Sequence, residues 1–166
     1  MSRSVLGIRT SGSEKGSGYV RYVILEGNSS DFKVRDMEHT KLTFPTKLES
    51  ISEKLAWFYR ELEELYEANK DISIIVLKSN DYNSRSRETA ARLSAYYDSV
   101  VLLFANHKNI PISQLNYNNL KTNSQTNSKN VQEKAKNLIG IIPNPASEIA
   151  IADAVLAAHW GLKYFD

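Results

Sequence analysis

Apolar residues along the chain change their spacing twice, and each change marks a new kind of element. Val5-Leu6-Gly7-Ile8 and Tyr19 to Leu25 are short apolar runs, the second β-branched and aromatic, and each predicts a strand. Between them Gly12, Gly16 and Gly18 supply positive φ for a tight turn. Phe32 to Phe44 alternates weakly, through Phe32, Val34, Leu42 and Phe44, after a turn at Gly27 to Ser30. It predicts a third, half-exposed strand, so that two successive hairpins form an antiparallel three-stranded unit.

The period then becomes helical. Leu48, Ile51, Leu55, Phe58, Leu62 and Leu65 recur at steps of three and four, one face of an amphipathic helix ending near Asn69. Thr46, with Glu49 three residues on, fits a capping box at its start. Ile72 to Leu77 is a nearly continuous apolar run, which suits a strand covered on both faces in a parallel sheet. Ser84 to about His107 predicts a second helix and Ile110 to Leu115 a short strand. Residues 116–130, rich in Asn, Ser, Thr and Gln, predict a polar loop. Asn130 to Ile141 predicts a short helix, broken by Pro143 and Pro145. Ser147 can cap a last helix running to about Gly161. The order β-β-β-α-β-α-β-α-α contains no repeat, so one α/β domain over residues 1–166 is expected.

Composition narrows the chemistry. The chain has no cysteine, which excludes a thiol nucleophile, a cysteine zinc site and an iron–sulfur cluster. His39, His107 and His159 share no metal-ligand spacing. Neither a Gly-x-Ser-x-Gly elbow nor a phosphate-binding P-loop is present. A net charge of +2 is only a weak pointer to nucleic acid. The first apolar run, Val5-Leu6-Gly7-Ile8, with four residues before it, is too short for a secretory leader, and no apolar stretch of about 18 residues exists. A soluble, cytoplasmic protein with no membrane partner is expected.

Three segments carry a resemblance. Val5 to Arg9 with Gly16-Ser17-Gly18-Tyr19-Val20 resembles the first hairpin of RuvC-type Holliday-junction resolvases. Leu120-Lys121 with Ser128 to Gln132 looks like that family's loop and following helix. Ile151-Ala152-Asp153-Ala154-Val155-Leu156-Ala157-Ala158-His159 resembles its last helix. The resemblance implies an RNase H-like fold: a mixed five-stranded sheet, the first three strands antiparallel, flanked by helices. It also implies a nuclease site in which clustered carboxylates hold two divalent ions.

This sequence departs from that site. The position of the carboxylate ending the first strand is Arg9, and that of the carboxylate ending the strand at Ile72–Leu77 is Lys78. The acidic pair on the last helix becomes Ala150 and Asp153. Two Mg²⁺ ions within about 4 Å need several anionic oxygens between them. Exchanging two carboxylates for Arg and Lys shifts the local charge by about four units, and Arg cannot lose its proton to relieve the repulsion. The degenerate site Arg9, Lys78 and Asp153 therefore predicts an internal ion pair, no metal and no catalytic residue. The expected function is non-catalytic nucleic-acid binding, to DNA or RNA, or assembly.

Arg9, Lys78, Arg85, Arg87 and Lys121 are the candidate phosphate contacts. For Arg85, Arg87 and the lysines at 121, 129, 134 and 136, an ordinary solvated surface is the competing explanation. Two alternatives stay open. One is a Mg²⁺-dependent structure-specific endonuclease whose site is rebuilt from Glu14, Asp81 or Glu148. The other is a structural or regulatory homodimer formed through the long helices. Tyr96-Tyr97 and Trp57-Phe58-Tyr59 could stack bases, but they fall at helical spacing and are expected in the core or at a subunit interface.

Overall fold

The computed structural model describes residues 3–13, 16–80, 88–117, 119–120, 128–140 and 148–165. Its elements are β1 (Arg3–Ser11), β2 (Tyr19–Gly27), β3 (Phe32–Arg35), β4 (Lys41–Leu42), α1 (Ile51–Glu67), β5 (Ile72–Lys78), α2 (Glu88–His107), β6 (Ile112–Leu115), α3 (Ser128–Ile139) and α4 (Glu148–Tyr164). The sheet runs β3-β2-β1-β5-β6, with β4 also paired to β2. β1 is antiparallel to β2 and parallel to β5, and β5 is parallel to β6. The expected mixed α/β sheet with β1 at its centre is present.

Two local expectations need correction. The third strand is two short ones, because Asp36 adopts a left-handed φ of 51° and turns the chain out of the ladder. Asp36 is one of the residues that tolerate this conformation. Helix α1 is capped by Ser50 and not by Thr46. The Ser50 hydroxyl accepts from the Glu53 N–H at 3.2 Å, and the Glu53 carboxylate accepts from the Ser50 N–H at 2.9 Å. The chain before it is spent in a turn closed by the Leu48 N–H on the Pro45 carbonyl. The expected start of α2 at Ser84 and the cap Ser147 lie outside the described residues.

Alternation divides the sheet between two cores. Leu6, Ile8, Val20, Ile24, Ile75 and Leu77 face α1 and α2 and pack on Phe58, Leu62, Tyr97 and Phe104. Val5, Val23, Leu25, Ile74 and Val76 face α4, whose Ala154, Ala157 and Ala158 keep it thin. Ile74 to Leu77 is covered on both faces, as the apolar run predicts, while Ser73 at the start of the strand is exposed.

Close approach of α4 to β1 sets the geometry of the site. A Cβ on Gly7 would lie 2.0 Å from the Ala154 carbonyl and 2.8 Å from the Ala158 nitrogen. On the opposite side, Gly161 admits Val5 and Val76 in the same way. The amino-terminal half of α4 therefore lies directly over the carboxyl end of β1.

Candidate functional site

The period-two alternation that points Val5 and Gly7 at α4 also points Arg9 there. The same holds for Lys78 after Ile74 and Val76, and for Arg21 before Val23 and Leu25. Register aligns them: Arg9 is opposite Arg21 on β2 and beside Lys78 on β5. Asp153 descends onto this row from α4. Arg9 Nε donates to Asp153 Oδ2 at 2.9 Å.

The pair is almost sealed. Asp153 and Lys78 are both 0% exposed, and the Arg9 side chain retains 16%. Tyr117, just after β6, closes the site. Its hydroxyl donates to both Asp153 oxygens, at 2.9 and 3.1 Å, and its ring lies 3.9 Å from Lys78 Nζ. Lys78 Nζ also donates to the Ser79 carbonyl at 2.5 Å. Burial raises the Asp153 carboxyl above its ordinary pKa, and the charges of Arg9 and Lys78 and the Tyr117 hydrogen bond pull it back.

A second buried carboxylate lies on the other side of the sheet. Asp98 of α2 accepts from the Thr10 hydroxyl. Asn80 connects the two halves: its carbonyl accepts from Arg9 Nη1 at 2.6 Å, and its amide donates to Thr10 Oγ1 at 3.4 Å. Hydrogen bonds thus run from Tyr117 through Asp153, Arg9, Asn80 and Thr10 to Asp98, around the carboxyl ends of β1 and β5. Burial also raises the Asp98 carboxyl, against hydrogen bonds from Thr10 and Asn80 and the charge of Arg9. A groove of about 620 Å³ opens beside Asn80 and Asp98, edged by Ser79, Gln114, Asn116 and Asn119. Such a crevice outside the carboxyl ends of parallel strands is where α/β sheets bind ligands.

Of the residues expected at the site, Arg9, Lys78 and Asp153 come together. Arg85, Arg87 and Lys121, and the alternative acids Glu14 and Asp81, lie outside the described residues. Glu148 opens α4. Asp98, Asn80, Thr10, Tyr117 and Arg21 belong to the site but were not singled out from the sequence. Two of them leave a sequence signal. Asp98 interrupts the stripe Ser94–Val101–Ala105 of a buried helix face, and Arg21 falls on the buried parity of β2.

The two buried carboxylates among the described residues, Asp153 and Asp98, do not by themselves suit a pair of divalent ions. A metal needs carboxylate oxygens on one side of the site. Asp153 and Asp98 approach the strand ends from opposite faces, with the Arg9 guanidinium on the Asp153 side. Among the described residues no three His, Asp or Glu side chains gather in a metal-holding cluster.

The fold matches solved structures. Thermus thermophilus RuvC in complex with Holliday junction substrate superposes with a TM-score of 0.70 at 14% identity, over 95% of this chain and 90% of that one. Thermus thermophilus RuvC gives the same score and identity, over 94% and 91%. The yeast mitochondrial Holliday junction resolvase Ydc2 matches with a TM-score of 0.53 at 15% identity, over 95% of this chain and 78% of that one. No family model and no curated protein matches the chain by sequence. The chain therefore has the RNase H-like fold of the RuvC type. The particular proteins it resembles in fold are Holliday junction resolvases.

Proposed function

We propose that this protein binds nucleic acid without cutting it, as a binding or assembly factor built on the resolvase fold. The observation that carries this reading is the Arg9–Asp153 pair at 2.9 Å, with Lys78 buried beside it, at the ends of β1 and β5. Two cations around one carboxylate repel Mg²⁺ and offer no set of anionic oxygens to hold it. Asp153 is already engaged by Arg9 and Tyr117, so a metal would have to displace both. A scissile phosphate has no way in either, because Asp153 and Lys78 expose no surface. No hydrolytic step follows from such a site.

Nucleic acid as the partner is supported by the fold neighbour solved with a Holliday junction and by the cations lying along the strand ends. In this reading the exposed edge of Arg9, with Arg85, Arg87 and Lys121, contacts phosphates, and Lys78 acts through the charge it holds behind them. The test is fluorescence anisotropy with labelled four-way, duplex and single-stranded DNA and RNA, at low salt and then across a salt series. Saturable, salt-sensitive binding without cleavage is expected. Absence of binding to every substrate at low salt would overturn the reading.

A further inference from the structure

We propose that Arg21 is a phosphate-binding residue, taking a backbone oxyanion of the bound strand at the carboxyl end of β1; this rests on the nucleic-acid reading above. Arg21 stands opposite Arg9 in the antiparallel register, and exposed Lys41 of β4 stands opposite Arg21. With Lys78, four cationic residues thus occupy one row of positions across four strands whose neighbouring backbones lie about 5 Å apart.

Their counter-charges differ. Arg9 has Asp153, while Lys78 has the Tyr117 ring, the Ser79 carbonyl and a share of Asp153. Arg21 is only 7% exposed, and its Nε is wholly buried without an acceptor. Among the described residues no hydrogen bond or ion pair engages its terminal nitrogens. Among the described residues its guanidinium lies over the Tyr19 ring, 5.6 Å from Cζ to the ring centre, on the same face two residues away.

A guanidinium held in this way is costly. Like charges directly opposite each other on neighbouring strands are destabilising, and a buried charge without a partner is worse. The missing component is an anion. A guanidinium presents a planar fork of donors that phosphate oxygens match in pairs. A row that continues through Lys41 into solvent suits a polymer of phosphates better than one isolated carboxylate.

The test compares wild type with Arg21→Met and Arg21→Lys in two assays. In thermal shift with inorganic pyrophosphate against chloride at matched ionic strength, wild type should gain melting temperature saturably and Arg21→Met should not. In chloride alone Arg21→Met should melt at or above wild type, since it removes an unpaired buried charge. In duplex DNA binding, Arg21→Met should weaken affinity about tenfold and reduce the log–log salt slope by about 0.9. Arg21→Lys, which keeps the charge and loses the fork, should weaken binding while leaving the slope near wild type.

Equal pyrophosphate protection in wild type and Arg21→Met would overturn the proposal. So would a large loss of stability for Arg21→Met in chloride, because that marks a structural role. DNA binding with an unchanged slope in Arg21→Met would overturn it and leave the nucleic-acid reading standing. Arg21-dependent pyrophosphate protection with no DNA binding would uphold the phosphate site and overturn the nucleic-acid reading.

Discussion

Asp153 is fully enclosed, and its three neighbours determine what that enclosure costs. A buried carboxylate is tolerated when it is paired and hydrogen-bonded, and Arg9, Tyr117 and Lys78 meet that condition. Asp153→Ala should therefore cost about 3–5 kcal/mol in urea unfolding, because it strands two cations. Adding Arg9→Met should recover part of the loss, and the double-mutant cycle measures the coupling. Additive losses would mean that the two side chains act separately.

Asp98 makes a different prediction, through pH. Its folded-state pKa is raised, chiefly by burial, so folding favours its protonated form. That contribution is fully present below the ordinary carboxylate pKa and is lost as pH rises through the folded value. Asp98→Asn cannot ionise and keeps an acceptor for Thr10. It should melt at or above wild type at pH 7, with the gap closing as pH falls toward 4. A variant that melts lower than wild type by the same margin at both pH values would contradict the assignment.

At the scale of elements, the contact between β1 and α4 governs whether these side chains meet at all. Gly7 leaves no space for a methyl group against the α4 backbone, and the first atom such a group would strike is a carbonyl oxygen that cannot rotate away. Gly7→Ala should push α4 outward and cost about 3 kcal/mol or more, beyond ordinary overpacking, as read from the urea midpoint. A neutral Gly7→Ala would mean that α4 is less tightly seated than the geometry requires. Much of this level was legible in the sequence. The run Ile72 to Leu77 announced a strand covered on both faces, and from Ile74 onward it is one. The split of the third strand was not legible, because it depends on Asp36 adopting a left-handed conformation that weak alternation does not reveal. The cap at Ser50 was missed because Thr46 and Glu49 offer the same local pattern, and only the Pro45–Leu48 turn decides between them. At the site, the convergence of Arg9, Lys78 and Asp153 could be read from motif positions. Tyr117 and Asn80 could not, since they reach the site only through the three-dimensional arrangement of strand ends, and Asp98 showed only as a charged break in a buried helix stripe.

For the whole molecule, a net charge of +2 gives little long-range attraction. Under the proposed function, binding to nucleic acid therefore draws on the local arrangement of cations at the strand ends. The log–log salt slope for duplex DNA should therefore correspond to a few phosphates, at about 0.9 each. Mg²⁺ should leave the melting temperature unchanged, since a ligand stabilises only by binding the folded state. The central proposal is that this fold engages nucleic acid at strand ends where Arg9 and Asp153 form an ion pair. One measurement tests it most directly: incubation of labelled four-way junction, duplex and single strand with saturating protein in Mg²⁺ or Mn²⁺, resolved on native and denaturing gels in parallel. Retarded complexes are expected on the native gel and intact strands on the denaturing gel. Strands cut only when metal is present, with cutting abolished by Asp153→Asn, would contradict the proposal.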